Sequence, residues 1–407
     1  MSLTTQTIEA LIKLAIVAGG VMTAAMYLVL VERKMAGWIQ GRLGPNRVGI
    51  PLTKIRLFGL GQPVADALKL ILKEDVTPAH VNRRIYNLAP LIIMTAAVSV
   101  FAVIPFGSII PGEGLGRENP IPLVVAPGID VGMIFVFALS SIAVYGVILG
   151  GWASNNKYSF LGALRSSAQM IAYELPLGLG LLGVVLATGS LQLEKVIGVQ
   201  ADTGIWFALS QPLGFVVFVV AAFAEAARLP FDLTECEQEL VAGFHTEYSG
   251  MRLVLFLTAE FIHMITAAFL IVILFLGGWH FWGLTGGSED AVTWLGAIVR
   301  IVVFMIKILA VILFFMLVRW SWPRFRFDQL MNLAWKMMLP LGIVNLIAVA
   351  IAVEMSASAG ASLPWIVYGW IVAVVAWMVT AVCSPLMTDN TARVGDATVG
   401  APLEKAG

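Results

Sequence analysis

Charged side chains are scarce in this sequence of 407 residues, at 12%, whereas hydrophobic residues make up 59%. Soluble proteins of ordinary composition have about 25% charged residues. A soluble protein of this length needs far more charge to cover its surface, so the composition excludes the two or three soluble domains that the length alone would suggest. We predict an integral membrane protein whose helices satisfy their own backbone hydrogen bonds, because lipid offers no partners.

Cysteine is almost absent, and the chain has no excess charge of either sign. Two cysteines, Cys236 and Cys383, are too few for a disulfide framework or a metal cluster. We therefore predict that this chain holds no metal and no redox centre of its own. Twenty-five basic residues balance 25 acidic ones, which argues against nucleic acid as a partner.

Common nucleotide-binding and metalloprotease motifs are also missing from the sequence, which has no P-loop, no CxxC and no HExxH. The segment Gly178-Leu-Gly-Leu-Leu-Gly183 matches GxGxxG by letter, but it lies inside an apolar stretch with no strand before it. We interpret it as a packing surface of small residues rather than a dinucleotide site.

Long apolar stretches, in contrast, are abundant. A helix needs roughly 20 apolar residues to cross a bilayer, and the charge-free stretches predict an all-α fold, a polytopic membrane helical bundle of about nine transmembrane helices. We expect a single transmembrane domain over residues 1–384 and a polar cytoplasmic tail over 385–407. The predicted spans are 8–31, 86–107, 130–152, 166–189, 205–229, 250–277, 296–319, 338–354 and 364–384.

Basic residues are distributed unevenly among the predicted loops. Alternate loops and the tail contain 20 Lys and Arg residues, ten of them in segment 32–85, whereas the remaining loops contain only Arg117 and Lys195. Because cytoplasmic loops are enriched in Lys and Arg, we expect the N-terminus outside and the C-terminus in the cytoplasm, in the plasma (inner) membrane of a bacterium. The N-terminal segment lacks a basic region before its apolar run and is not expected to be a signal peptide.

The first cytoplasmic loop contains a segment, 61–74, with the periodicity of an amphipathic helix. Apolar residues lie on one helical face and charged residues on the opposite one, namely Val64, Leu68, Ile71 and Leu72 against Asp66, Lys69 and Lys73. We predict an interfacial helix of about 12 residues that lies flat on the membrane. The alternative is an ordinary surface helix packed on the bundle.

A second cytoplasmic loop, 228–249, is acidic. Its carboxylates are Asp232, Glu235, Glu237, Glu239 and Glu247. They alternate with apolar residues such as Phe231 and Leu240, so we expect the loop to fold back onto the protein rather than form a solvated run of charge. Partly buried carboxylates that lie together raise one another's pKa and can exchange protons near neutral pH.

Three further carboxylates fall within the predicted spans: Glu174, Glu225 and Glu260. Ionisable groups inside a membrane are costly and indicate function by default. Glu225 is close enough to the span end for its side chain to extend to the interface, and Glu260 could pair with His263, one turn away. Arg300 and Lys307 are candidate counter-charges. Taken together, these residues predict a polar, hydrated line across the bundle.

Several motifs resemble the H-subunit family of respiratory complex I, the NADH–quinone oxidoreductase. They are Glu32-Arg-Lys34, Gly41-Arg-Leu-Gly-Pro-Asn-Arg-Val-Gly49, Gly151-Trp-Ala-Ser-Asn-Asn-Lys-Tyr-Ser159, Ala224-Glu-Ala-Ala-Arg-Leu-Pro-Phe-Asp-Leu233, Glu247-Tyr-Ser-Gly250 and Trp322-Pro-Arg-Phe-Arg-Phe-Asp-Gln-Leu330. The resemblance covers residues 10–350. The ninth span and the polar tail extend beyond the family pattern.

The resemblance implies a subunit that anchors the hydrophilic arm and admits quinone, its substrate, sideways from the membrane. It implies that Glu174, Glu225 and Glu260 form a proton path, and that the acidic loop responds to quinone reduction. It also implies that four arginines line or brace the quinone chamber: Arg33, Arg42, Arg47 and Arg228. FMN and iron–sulfur clusters are expected in partner subunits. The expected partners are the iron–sulfur and quinone-site subunits of the soluble arm, neighbouring small membrane subunits, and lipid.

Two alternatives to a proton-pumping NADH dehydrogenase stay open from the sequence. One is the related anchor subunit of a membrane-bound hydrogenase. The other is a free-standing secondary transporter, which would have paired broken helices in two related halves. No such repeat is visible in the sequence, and the length of the acidic loop favours the quinone enzyme on grounds of resemblance.

Overall fold

The computed structural model describes residues 3–49, 58–111, 120–232, 237–282, 284–285, 293–359 and 365–383. These residues form an all-α fold apart from a two-residue antiparallel ladder that pairs Ile109 with Pro122 and Ile110 with Ile121, as the sequence predicts. The helices are α1 (Leu3–Ile39), α2 (Gln62–Ile71), α3 (Arg83–Ser99), α4 (Gly132–Ala153), α5 (Lys157–Thr188), α6 (Leu193–Thr203), α7 (Phe207–Ser210), α8 (Pro212–Glu225), α9 (Glu237–Leu240), α10 (Gly250–Phe275), α11 (Trp294–Ser321), α12 (Phe327–Asn332), α13 (Leu339–Ala359) and α14 (Trp365–Cys383).

Seven helical stretches in the described part of the chain are long and apolar enough, by length and composition, to cross a membrane. They are Thr7–Ile39, Arg83–Ala102, Gly132–Ala153, Lys157–Thr188, Gly250–Phe275, Trp294–Ser321 and Phe327–Met355. Two shorter apolar helices, Pro212–Glu225 and Gly369–Val379, fall within the fifth and ninth predicted spans. The chain is thus a polytopic helical membrane protein, and the number of nine crossings stays a prediction.

The fifth predicted span, 205–229, is not one continuous helix. It is interrupted at Gln211, whose φ of −131° and ψ of 61° are not helical, and Pro212 begins α8 at the position where its missing N–H costs nothing. Helix α8 has 14 residues, about 21 Å at 1.5 Å per residue. The polar pair Ser210-Gln211 and the proline that follows mark the break in the sequence, but a count of charge-free residues passes over them.

Three other helices extend well beyond their predicted spans, and the first is α1, Leu3–Ile39 against a predicted 8–31. Helix α5 begins at Lys157 rather than 166, because Asn156 Oδ1 accepts a hydrogen bond from the backbone N–H of Tyr158 at 3.0 Å and caps it. Lys157 and Arg165 therefore lie on this helix and not in a loop. The eighth predicted span continues a helical run that includes α12 and a π-helical segment, Leu333–Met338.

The core lies around α10, which is buried along most of its length. Aromatic rings from the surrounding helices meet it edge to face, as in Phe269 against Phe101 at 5.7 Å and against Phe304 at 5.5 Å between ring centroids. Phe275 contacts Phe218 of α8 at 5.3 Å. Each such pair adds roughly 0.5–1.5 kcal/mol beyond its area burial. These contacts fix the positions of the neighbouring helices against α10.

Helix α2 occupies the amphipathic segment that the sequence predicts within 61–74. Its apolar residues Leu68 and Ile71 are 53% and 55% exposed, so the apolar face is not covered by the bundle. Its polar face is fixed by Asp66, which accepts a hydrogen bond from Arg33 Nη1 of α1 at 2.6 Å. An uncovered apolar face of this kind is typical of an interfacial helix and not of a helix packed on the bundle.

Candidate functional site

A cavity of about 590 Å³ opens between the end of α1, the loop that follows it, α10 and α11. Its described lining contains four arginines and two glutamates: Arg33, Arg42, Arg228, Arg319, Glu32 and Glu260. The rest of its wall includes apolar side chains such as Val29, Leu257 and Phe261. The volume of this cavity and its mixture of charged and apolar lining are typical of a small-molecule site. The four arginines and two glutamates give the cavity a formal excess of two positive charges.

Glu32 lies at the centre of the charged lining and is 7% exposed. It accepts a hydrogen bond from Arg319 of α11, and Arg228 Nη1 lies 3.4 Å from its other oxygen. The Arg228 guanidinium also stacks over the Phe261 ring at 4.1 Å. Two further donors of that group, Nε and Nη2, have no hydrogen-bond partner among the described residues. One carboxylate thus brings together three segments that are distant in sequence.

The loop after α1 folds back against the helix through a contact between two glycines. A Cβ atom on Gly37 would lie 2.8 Å from the backbone nitrogen of Gly44, and Gly44 has a φ of +67°. Only glycine fits this approach and this conformation without strain. The contact places Arg42 on the same cavity wall as Arg33 and Glu32.

Two intramembrane carboxylates are held by consecutive serines of α4. Ser140 donates to Glu225 at the end of α8, and Ser141 donates to Glu174 of α5. Glu225 also lines a small cavity together with His263 of α10, which lies one turn from the cavity residue Glu260. The structure therefore places Glu225 inside the bundle, between the other two carboxylates, rather than extended toward the interface.

The acidic loop is tied down at both ends. Gln169 Nε2 of α5 donates to the backbone oxygens of Ala224 and Phe231, each at 2.9 Å. At the other end, the rings of Tyr86 and Tyr248 stack at 4.2 Å, and their hydroxyls donate to loop and helix carbonyls. Burial raises the pKa of Tyr248 above its ordinary value, which keeps this hydroxyl protonated and able to donate. The loop folds back onto the protein, as the sequence predicts.

The carboxylates of this loop do not meet in one cluster within the described residues. Asp232 is buried with Arg324 Nη2 at 3.7 Å. Glu239 accepts from Arg165 Nη1 at 2.5 Å, and Glu247 accepts from Asn156 Nδ2 at 2.6 Å. Glu235 lies outside the described residues, as does the predicted tail 385–407, and Glu237 is described only as the first residue of α9. A shared proton among neighbouring acids therefore finds no support in the described part of this loop.

Lys307 and Arg300 both donate hydrogen bonds to backbone carbonyls. Lys307 Nζ donates to the carbonyl oxygens of Leu276, Gly278 and His280 at 2.6–3.0 Å, where it caps the carboxyl end of α10. Arg300 Nε donates to the Thr285 carbonyl at 3.0 Å. Both cations therefore satisfy backbone groups near the loop after α10.

The structure thus gathers four of the predicted site residues in the large cavity: Arg33, Arg42, Arg228 and Glu260. Arg47 is exposed and does not belong to the described lining. Sequence reasoning missed Glu32, Arg319 and the two serines. Glu32 belongs to a motif quoted above and could have been found there, whereas Arg319 is one of many basic residues at a span end and has no distinguishing pattern.

The sequence was also compared with those of known proteins. The sequence model of the family described as "NADH dehydrogenase" matches residues 12–350. An NADH-quinone oxidoreductase H subunit of Geobacter metallireducens is 48% identical over 337 residues, which cover 83% of this chain and 94% of the relative. The H subunit of Syntrophotalea carbinolica is 45% identical over 339 residues, with the same coverage. The H subunit of Geobacillus kaustophilus is 44% identical over 337 residues, 83% of this chain and 92% of the relative.

The fold and the match define a multi-pass membrane subunit of a respiratory oxidoreductase. The chain belongs to the family of NADH-quinone oxidoreductase H subunits, that of complex I. Membership implies the other complex I subunits as partners and decides against the hydrogenase anchor and the free-standing transporter. It does not by itself assign a role to the cavity or to the carboxylates.

Proposed function

We propose that the 590 Å³ cavity is the chamber through which quinone enters from the membrane, and that this chain couples quinone reduction to proton translocation. The observation that carries the proposal is the lining: four arginines and two glutamates beside an apolar wall at the end of α1. A quinone has a long apolar tail and a small polar head, so it needs both kinds of surface in one opening.

The uncovered apolar face of α2 supports a lateral entrance. Helix α2 is held against α1 by the ion pair between Asp66 and Arg33, and Arg33 also lines the cavity. A helix whose apolar face lies in the lipid boundary provides a continuous apolar surface beside the opening. The substrate tail can follow this surface while the head moves toward the charged end.

The arginines can stabilise the negative charge that develops on the quinone during its reduction. Quinone takes up two electrons and two protons to become quinol, and negative charge develops on its oxygens before the protons arrive. Arginine stays protonated throughout, and fixed positive charge in a site of low dielectric stabilises developing negative charge strongly. Arg228, with two unpartnered donors, is the side chain we assign to the quinone head.

A line of carboxylates offers the coupling path. Glu260 lines the cavity, and Glu225 and Glu174 follow through His263 and the paired serines of α4. Negative charge on the quinone favours protonation of the nearest carboxylate, and each protonation change alters the proton affinity of the next. We propose Glu260, Glu225 and Glu174 as the beginning of the proton path.

The acidic loop is proposed to respond to quinone reduction. One of its described contacts can break at little cost: the pair between Arg165 and Glu239 is solvent-exposed, and exposed pairs contribute roughly 0–1 kcal/mol. Asp232 and Glu247, which hold the loop to the segment before α12 and to the beginning of α5, would transmit such a movement.

The cavity end of the protein is proposed to face the cytoplasm of a bacterial cell, with the N-terminus outside. The support is the excess of Lys and Arg in the loops at that end. The iron–sulfur and quinone-site subunits of the soluble arm would close the chamber there, and the iron–sulfur clusters and FMN would be held by partner subunits. Small membrane subunits and lipid would cover the remaining helices.

The proposal is tested by narrowing the cavity. Ala36 lines it and is buried, so Ala36→Phe should lower NADH:quinone reductase activity in the assembled complex and leave NADH:ferricyanide activity unchanged. Ala24 lies on the exposed side of the same helix, which makes Ala24→Phe the matched control. Wild-type quinone turnover in assembled Ala36→Phe complex would contradict a quinone chamber here.

A further inference from the structure

A buried polar cluster lies at the break between α7 and α8, away from the proposed quinone chamber. Its members are Ser210, Gln211 and Asn345, which are 6%, 3% and 2% exposed. Three of their atoms, Ser210 Oγ, Gln211 Oε1 and Asn345 Nδ2, have no hydrogen-bond partner among the described residues. Buried polar atoms in proteins are nearly always hydrogen-bonded, so the cluster indicates a missing partner.

These side chains line a small cavity of about 20 Å³. That volume holds one water molecule, which needs about 10–15 Å³ and two to four polar partners. The remaining wall is apolar and comes from α13 and α14, including Val349 and Val372. The cavity is too small for an organic ligand, and its one donor amide, one acceptor carbonyl and one hydroxyl match the hydrogen-bonding capacity of water.

Two glycines leave the space that the cluster occupies. A Cβ on Gly183 of α5 would lie 2.8 Å from Asn345 Nδ2 and 2.9 Å from Gln211 Oε1, and a Cβ on Gly214 would lie 2.7 Å from Asn345 Nδ2. The two unpartnered amide atoms therefore share one small region between three helices. Gln211 is oriented there by its other amide atom, Nε2, which donates to the Gly183 carbonyl at 3.3 Å.

Helix α14 closes this region. A Cβ on Gly369 would overlap the Ser210 carbonyl oxygen, so the backbone of α14 lies directly against the last residue of α7. The family match ends at residue 350, and α14 lies beyond it. The outward face of α14 is apolar and exposed, as at Trp377 and Val379, which suits contact with lipid.

We propose that the cavity is a water-binding site and that α14 seals it from the lipid. One ordered water molecule accepts a hydrogen bond from Asn345 Nδ2, donates to Gln211 Oε1 and exchanges a hydrogen bond with Ser210 Oγ. No bond breaks and no proton is transferred. The water supplies the partner that hydrocarbon cannot offer to the polar atoms at a helix break.

The first test is a cryo-electron microscopy map of the intact complex at a resolution that shows buried waters. We expect density within hydrogen-bond distance of all three atoms in the wild type. In Asn345→Leu, which is similar in volume but has no polar group, the density should vanish, whereas Val344→Leu on the exposed side should retain it. An empty cavity in a wild-type map with waters resolved elsewhere overturns the proposal, and so does density that persists in Asn345→Leu.

The second test measures the seal by hydrogen–deuterium exchange of peptide 207–216 in the intact complex. Removing volume from α14 at the cavity, with Val372→Ala, should speed exchange of the Gln211 and Phe215 amides about tenfold, because local opening then costs less. Val374→Ala, on the exposed side of α14, is the matched control and should leave exchange unchanged. Gly369→Ala should give a larger effect than Val372→Ala. Equal exchange in Val372→Ala, Val374→Ala and wild-type complexes overturns the sealing role.

Discussion

Ser140 and Ser141 are consecutive on α4, yet they donate hydrogen bonds to carboxylates on two different helices, Glu225 of α8 and Glu174 of α5. Adjacent residues on a helix point about 100° apart, so one turn of α4 reaches carboxylates on two different helices. The arrangement brings two intramembrane carboxylates to one place without an intervening cation among the described residues.

This arrangement predicts the effect of neutralising the carboxylates. Glu174→Gln and Glu225→Gln keep the volume and can still accept from serine, but neither can take up a proton. We expect quinone reductase activity to fall about tenfold, which corresponds to roughly 1.4 kcal/mol of activation free energy, in complexes that still assemble. NADH:quinone turnover and proton pumping in proteoliposomes measure the effect. Wild-type rates and pumping in both variants would remove the acid-chain hypothesis.

A second prediction concerns Glu32, the shared partner of Arg228 and Arg319. In Glu32→Gln two arginines lose their counter-charge, and breaking a buried ion pair from one side costs about 3–5 kcal/mol. The complex should inactivate at a lower temperature and lose quinone reductase activity. Glu239→Gln removes an exposed pair with Arg165 and should change stability by about 1 kcal/mol at most. Identical thermal inactivation of the two variants would mean that Glu32 does not organise the cavity.

Lys307 gives a third prediction, which separates stability from quinone chemistry. Lys307→Met leaves three carbonyl oxygens near the end of α10 without their common donor, and losing charged hydrogen bonds of this kind costs about 3 kcal/mol. We expect earlier thermal unfolding with quinone turnover at room temperature intact. Ile306→Met, on the exposed side of α11, introduces the same side chain as a control. A loss of turnover in Lys307→Met without a thermal shift would instead place this residue in the reaction path.

A pH dependence is predicted for Glu194 on α6, outside the spanning helices. Burial raises the pKa of Glu194 above its ordinary value of 4.5, so the folded protein binds its proton more tightly than the unfolded chain. The contribution of this group to stability is therefore largest at low pH and is lost as the pH rises through the folded pKa. Relative to Glu194→Gln, the wild type should lose thermal stability as the pH is raised from 4.5 toward neutrality. Parallel stability profiles for the two proteins would contradict this.

Much of the architecture is predictable from the sequence because lipid imposes a simple rule. Apolar runs of sufficient length become helices, and the periodicity at 61–74 gives an amphipathic helix where α2 is found. Helix ends are less predictable. The beginning of α5 is set by the Asn156 cap and the break at Gln211 is followed by Pro212 at the first position of α8. Both are local signals that a count of charge-free residues does not weigh.

The candidate site is predictable in part for a related reason. Glu260 stands out because an ionisable residue inside a span is rare, whereas Arg33, Arg42 and Arg228 are singled out by the family resemblance. The structure gathers all four in one cavity. The role of Glu32 beside Arg228 depends on how α1 is rotated against α11, which the sequence does not encode locally. The carboxylates of the acidic loop look like a cluster along the chain, but in the folded protein Asp232, Glu239 and Glu247 contact different elements.

The contact between Gly37 and Gly44 has a consequence for how this opening can change in evolution. On the α1 side of the large cavity, the width of the opening is set by a contact between two main-chain segments, and not by the length of any side chain. Under the proposed function, neighbouring residues can therefore be exchanged to suit a different lipophilic substrate while the frame keeps its dimensions. Any residue larger than glycine at either position would instead push these two main-chain segments apart and widen the opening itself.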